Sequence, residues 1–97
     1  MIYFAIAFLI LFAFAFPAMA QSRCEPDVDV ETYFARAETA FAELDYEGAV
    51  ADFTCVLALN GDPAAPESMT SLIHRMFAYR ELGYYDAAIA DLDRILK

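Results

Sequence analysis

Two cysteines and one histidine are the side chains most suited to chemistry in this 97-residue chain. Cys24 and Cys55 lie too far apart for a C-x-x-C redox motif, and the four ligands of a structural zinc site are absent. In an oxidising compartment two such thiols can form a disulfide. The pair is therefore either a structural bond or two free thiols, and both alternatives stay open at this stage.

The remaining polar residues do not form a recognisable catalytic set. A catalytic or metal-binding role for His74 would need partners, and the sequence has neither a serine elbow nor a cluster of His, Asp and Cys. We interpret His74 as a surface residue. The acids Glu38, Glu43, Asp45 and Glu47 match no calcium loop and are interpreted as a solvated hairpin end. We expect a protein that is not an enzyme, with no catalytic residue, no metal and no cofactor.

The net charge of −9 narrows the range of partners, because every charged side chain lies at or after Arg23. Nucleic acid is disfavoured as a ligand, since contacts with phosphate need a basic face. Docking on anionic lipid is disfavoured for the same reason. The acidity is explained most simply as a means of keeping a small domain soluble, and the alternative is a basic partner.

The first twenty residues resemble an export signal rather than part of a folded domain. Residues 1–16 are apolar and uncharged, and Ala18-Met19-Ala20 has the small-x-small pattern of a cleavage site. As a helix, this run would span roughly 24 Å, less than the ~30 Å of a bilayer core. We predict a signal peptide over residues 1–20, cleaved after Ala20, and export to the bacterial periplasm. Because no Lys or Arg precedes the run, the alternative is an uncleaved anchor formed by residues 2–16.

Apolar residues at spacings of three and four predict helices throughout the rest of the chain, and no stretch alternates as a strand would. A polar lead-in over residues 21–29 ends at Asp29, a suitable N-cap. Asn60-Gly61-Asp62-Pro63 is a strong stop signal, and Gly83 ends the third helix. The fold class is therefore all-α, with helices expected over residues 30–44, 46–59, 68–82 and 84–96.

The second and fourth helices align without a gap at an offset of 39 residues. The same offset pairs Arg36 with Arg75 in the preceding helices, and it relates similar residues such as Phe53 and Leu92. The identical pairs are Tyr46 with Tyr85, Ala49 with Ala88, Ala51 with Ala90, Asp52 with Asp91 and Leu57 with Leu96.

With these residues in view, the stretch over residues 82–92 resembles the central turn and second helix of a tetratricopeptide repeat, and residues 45–53 resemble a looser copy. The resemblance implies two antiparallel helical hairpins stacked as a short α-solenoid behind the signal helix. It places repeat 1 at residues 30–63, a turn at 64–68 and repeat 2, incomplete at its C-terminus, at 69–97. The repeat-defining residues are Tyr46, Ala49, Phe53, Gly83, Tyr85, Ala88 and Leu92.

Two departures from the family pattern are visible. The period is 39 residues, whereas the family repeats about every 34. In the family, the tyrosines at the turn would wedge between paired helices, and a small residue is expected in each first helix. Ala37 satisfies that expectation in one copy, but Met76 occupies the position in the other.

The resemblance also implies a binding surface, because the first helix of each repeat lines a concave groove in this family. The basic and amide residues that clamp a peptide carboxylate in some members are missing. We expect the groove to bind an apolar or amphipathic peptide, although Phe34 and Phe77 have core packing as an alternative role. The groove residues carried over are Phe34, Glu38, Phe41, Ile73, Phe77 and Arg80.

Antiparallel first and second helices would bring Cys55 near the start of the first helix, a few residues after Cys24, so a disulfide is geometrically reasonable. At the other end of the array, the last helix leaves an exposed surface formed by Leu92, Ile95 and Leu96. We expect an exported protein–protein interaction module. The alternative is an accessory or truncated subunit that is completed by a homodimer or by a larger protein.

Overall fold

The computed structural model describes residues 24–97, and within these residues the fold is all-helical. Each helix packs against the next one along the chain. The predicted signal peptide lies outside the described residues and stays a prediction. Among the helices that are described, none is both long and apolar enough to cross a membrane. The four helices are α1 (Val30–Ala42), α2 (Tyr46–Leu59), α3 (Pro66–Leu82) and α4 (Tyr85–Leu96).

Aspartate side chains set the first residues of the two helices that form the first hairpin. Asp29 accepts a hydrogen bond from the backbone N–H of Thr32 at 2.9 Å, as predicted for an N-cap. This bond also lowers the pKa of Asp29 below its ordinary value. Asp45 accepts in the same way from the N–H of Gly48 at 3.1 Å, and α2 then has the predicted bounds.

Three other helix ends differ from the prediction. Helix α1 ends at Ala42 instead of residue 44, because Leu44 has a left-handed backbone with φ 63°. Helix α3 begins at Pro66, inside the predicted turn over 64–68, since proline suits the first turn of a helix. Helix α4 begins one residue late, at Tyr85, after Gly83 has ended α3 with φ 84°.

Helices α1 and α2 are antiparallel, as predicted, because their contacts follow one another in reverse order. The core of this hairpin is built around small residues, Ala37 and Ala49, which allow the two helix backbones to come close together. Along the hairpin, Tyr33 clusters with Val56, Ala37 clusters with Phe53, and Phe41 packs edge-on against Tyr46.

A disulfide between Cys24 and Cys55 joins the polar lead-in to α2, with the two Cα atoms 5.6 Å apart. Val28 packs against the cluster that contains the buried Cys55, and the backbone N–H of Glu25 donates to the hydroxyl of Tyr33. Of the two alternatives that the sequence leaves open, the structure has the disulfide and not the two free thiols. It holds residues that precede the first helix against the end of the second.

Removing this bond should weaken the fold, because its 31-residue separation restricts the unfolded chain. We expect the Cys24→Ala/Cys55→Ala variant to lose about 3 kcal/mol of unfolding free energy in urea titrations. The wild-type protein measured with and without reductant is the control, and it should show the same difference. Full thiol labelling of the native oxidised protein would contradict the bond.

Leu44 and Gly83 occupy the same place in the two repeats, 39 residues apart, and both have left-handed backbones. Only glycine adopts this conformation without a steric cost, so Leu44 is strained whereas Gly83 is not. We expect Leu44→Gly to stabilise the protein by about 1 kcal/mol. The mirror variant Gly83→Leu should destabilise it by a similar amount. Thermal and urea unfolding measure both changes, and a destabilising Leu44→Gly would contradict the argument.

Candidate protein-binding surface

The second hairpin is held by an ion pair between Arg75 on α3 and Asp91 on α4. Arg75 Nε donates to Asp91 Oδ2 at 2.8 Å, and Nη2 donates to Oδ1 at 2.5 Å. A third donor, Nη1, reaches Thr54 Oγ1 on α2 at 3.0 Å. One guanidinium group therefore connects three helices, and Asp91 is only 2% exposed.

The surroundings of Arg75 favour its charged form. Burial by itself lowers the pKa of Arg75, but the hydrogen bonds and the negative charge of Asp91 outweigh burial and raise that pKa. A planar guanidinium matches a carboxylate through two parallel hydrogen bonds, which fixes the angle between the two groups. The pair therefore sets the register of α4 against α3.

The first hairpin has the same pair in a looser form. Arg36 and Asp52 are the residues 39 positions earlier, and they approach to 3.5 Å, with the Arg36 side chain 50% exposed. Burial raises the pKa of Asp52, the charges of Glu25 and Asp45 raise it further, and Arg36 offsets only part of this effect. Here no preceding hairpin among the described residues covers the pair.

Helix α3 packs on the first hairpin through small residues and through the imidazole ring of His74. The His74 imidazole stacks on Phe41, with ring centroids 4.6 Å apart and planes 3° from parallel, and it meets Phe53 edge-on. Ser71 and Ala78, one helical turn to either side, are fully buried. His74 is therefore an interface residue between the hairpins, and the prediction of a free surface histidine is wrong.

The polar side of that imidazole faces Glu38. His74 Nδ1 lies 3.1 Å from Glu38 Oε1, but the angle does not suit a hydrogen bond, and none reaches Nδ1 from residues 24–97. The acidic residues do not form the single solvated end that we predicted, since Glu38 faces His74 and Asp45 caps α2. Glu43 and Glu47 are exposed. Over residues 24–97, no three His, Cys, Asp or Glu side chains are grouped to hold a metal ion.

On the second hairpin, the surface that corresponds to the one covered by α3 is open. A groove of about 480 Å³ runs between α3 and α4 and is lined almost wholly by apolar atoms. Ile89 on its floor is 56% exposed and Leu92 is 40% exposed. We call this surface the end groove, and its main residues are Met76, Phe77, Arg80, Tyr85, Ile89 and Leu92.

The structure places the six predicted groove residues in two different environments. Phe34 packs edge-on against Phe53, and Phe41 is covered by His74, so both belong to the packed first hairpin. Glu38 lies beside His74, and Ile73 is half-buried. Only Phe77 and Arg80 line the end groove. That the six residues form one concave groove stays a prediction.

The predicted end surface and the repeat-defining residues are only partly as expected. Leu92 and Leu96 are exposed, whereas Ile95 is half-buried. Ala49 and Ala88 are buried small residues, as predicted. The resemblance predicts that Tyr85 wedges between helices, but it is 64% exposed, because no further helix among the described residues packs on it.

Met76, Tyr85 and Ile89 line the end groove but are not among the groove residues predicted from the sequence. The 39-residue offset relates them to Ala37, Tyr46 and Val50 in the first hairpin, but the offset identifies groove residues only once the packing of that hairpin is known. Comparison of the chain with protein-family models, with curated proteins and with solved structures found no match. The function must therefore be argued from the geometry.

The two ion pairs should respond differently to the same substitution. Asp91→Asn leaves the Arg75 charge buried and uncompensated, so we expect a loss of about 3 kcal/mol in unfolding free energy. Asp52→Asn breaks only a partly exposed pair, and we expect a change within about 0.5 kcal/mol. Urea unfolding at neutral pH measures both. Equal losses in the two variants would contradict the distinction.

The pH dependence of Asp52→Asn provides a second test of this distinction. The folded state raises the pKa of Asp52, so its protonated form favours folding below the unfolded pKa of about 3.9. That contribution is lost as the pH rises through the folded pKa. The stability of Asp52→Asn relative to the wild type should therefore increase between pH 3 and pH 7. Urea unfolding at both pH values measures it, and a relative stability that falls over this range would refute the argument.

Proposed function

We propose that this chain is an exported, tetratricopeptide-like interaction module that binds a protein helix in its end groove and has no catalytic role. One observation carries the proposal. Arg80 and Leu92 of the end groove correspond, at the 39-residue offset, to Phe41 and Phe53. These are the residues of the first hairpin on which His74 of α3 packs. A surface that accepts a helix in one repeat is open in the other, and exposed apolar patches of this kind mark interaction sites.

The resemblance to the repeat family is supported by several features that recur at the 39-residue offset. Each hairpin has a left-handed residue near its turn, a buried alanine and an Arg–Asp pair between its helices. Export is supported by the apolar segment over residues 1–20 and by the disulfide, since such bonds persist in oxidising compartments. We place the protein in the bacterial periplasm on these grounds.

The lining of the groove defines the chemistry of the helix that would fit it. Ile89 and Leu92 favour a helix with no charged side chain opposite them. Ser71 and Ala78 of α3 are fully buried in the first hairpin, which indicates small residues at the centre of the bound helix. Arg80 lies at the edge of the groove with its guanidinium 4.8 Å from the centre of the Phe77 ring. This cation disfavours a second cation directly opposite it on the bound helix.

The second candidate is an accessory subunit that is completed by association with another protein or with a copy of itself. The observation that favours it is the exposure of Tyr85 and Ile89, whose equivalents in the first hairpin are at least half covered. Both candidates use the end groove. They differ in whether the fold is stable before the partner binds.

A charge placed in the groove should abolish partner binding. We expect Ile89→Lys to lose the proteins captured by the wild-type exported chain, because a buried, unpaired ammonium group opposes docking. Leu59→Lys is the matched control, since Leu59 is similarly exposed but lies at the end of α2, outside the groove. Captured proteins are compared by quantitative mass spectrometry, and retention of the same proteins by Ile89→Lys would contradict the proposal.

The stability of the free protein separates the two candidates. An independent module should unfold cooperatively at a temperature that does not depend on protein concentration. An accessory subunit should be unfolded or should melt at a temperature that rises with concentration or with added partner, by mass action. Circular dichroism combined with light scattering on the exported protein measures both properties.

A further inference from the structure

The protein has two exposed faces that each correspond to one side of its internal contact between α3 and the first hairpin. The head face lies on α1 and consists of Thr32, Ala35, Arg36 and Thr39. The tail face consists of the end groove together with Asp93 on α4. Inside the molecule, α3 meets the first hairpin through residues that lie 39 positions from several of these. His74 packs on Phe41 and Phe53, and Arg75 donates a hydrogen bond to Thr54. Each face is therefore related to one side of an interface whose packing is known.

The head face corresponds to the side of α3 that is buried in the internal interface. Ser71 and Ala78 on α3 are fully buried, whereas their equivalents Thr32 and Thr39 on α1 are exposed. His74 corresponds in the same way to Ala35, which is exposed. At two of these three positions both helices have small side chains, and at the third α1 has Ala35 where α3 has the larger His74. No side chain of α1 at these positions is therefore too large for a neighbouring helix to pack on it.

The tail face corresponds to the covered side of the first hairpin. Phe53, which is fully buried under α3, corresponds to Leu92, which is exposed. Phe41, which is covered by the His74 ring, corresponds to Arg80. The facing partner of Arg80 would be Ala35, a small residue that leaves room for the longer side chain.

The strongest complementarity between the faces is electrostatic. In the internal interface Arg75 Nη1 donates to Thr54 Oγ1 at 3.0 Å. The equivalents of these two residues are Arg36 on the head face and Asp93 on the tail face, and both are exposed. A hydrogen bond from arginine to a neutral hydroxyl inside the molecule therefore becomes an arginine–carboxylate pair when a head face meets a tail face.

We propose that the end groove binds the α1 face of a second copy of this chain, head to tail, with Arg36 of one copy paired to Asp93 of the other. This proposal rests on the proposed function, because it names the helix that fills the same groove. The interface is heterologous, so repeated contacts produce rings or open chains of copies. The net charge of −9 on each copy opposes association at long range, and salt near 0.15 M reduces this repulsion, with a Debye length of about 8 Å.

Charge exchange tests the pairing directly. Arg36→Glu and Asp93→Arg each place like charges across the interface, so each variant alone should associate at least about fivefold more weakly than the wild type. In an equal mixture, copies of the two variants can alternate. The two substituted side chains then face each other at one contact, and the native Arg36 and Asp93 face each other at the next. The measurement is sedimentation velocity near 0.15 M salt, on protein produced from the full chain. Each variant by itself should associate weakly, and the equal mixture should associate as the wild type does.

Two controls guard against nonspecific effects of charge. Arg94→Glu makes the same change in net charge as Arg36→Glu, at an exposed position outside both faces, and should associate as the wild type does. Circular dichroism confirms that every variant is folded. Adding Ile89→Lys, which blocks the groove without altering either charged residue, should keep the protein monomeric even in the mixtures.

The outcomes separate this inference from the proposed function. A monomeric wild type that captures another protein through Ile89 would overturn self-assembly and leave the interaction module standing. Self-association that is insensitive to the charge exchange would overturn the head-to-tail arrangement and favour a symmetric contact through the groove. A monomer with no partner that depends on Ile89 would overturn both proposals.

Discussion

The buried contact between Arg75 and Asp91 is the interaction on which the second half of the structure depends. Helix α4 packs mainly on α3, and it lacks a second helical neighbour among the described residues. Its contacts with α3 alone therefore fix its orientation. The bidentate pair supplies such a constraint, since two parallel hydrogen bonds fix an angle as well as a distance. Thr54 extends the same constraint to α2.

A buried ion pair of this kind contributes more to geometry than to net stability, because desolvating two charges offsets much of their attraction. The first hairpin shows the contrast. There the aromatic cluster of Phe34, Phe41 and Phe53 fixes the packing, and the corresponding Arg36–Asp52 pair is long and partly open to solvent. The arginine and aspartate of this ion pair therefore recur in both repeats, but only the packing of the second repeat depends on the pair.

Local signals made much of the fold predictable, whereas the candidate site depends on tertiary packing. Apolar periodicity and the stop signal at residues 60–63 predict the bounds of α2, but periodicity continues through Leu44, where the backbone turns left-handed. Burial at a repeated position depends on whether a further helix covers it, and residue type does not contain that information. His74 therefore fills an interface against the prediction, and Tyr85 is exposed against it. The 39-residue offset becomes informative only once the burial of one copy is known.

The pair between Arg75 and Asp91 also links the stability of the second hairpin to its proposed function. If the free protein is folded, as the interaction-module proposal requires, Arg75 and Asp91 hold α3 and α4 in register and the end groove is formed without a partner, so that little ordering is needed on binding. A partner that fills the groove binds only the folded hairpin, so it also stabilises α4 by mass action. The ion pair thus holds α4 against α3 while the apolar groove between them is uncovered. If apolar packing alone held α4, a further helix would have to cover the groove.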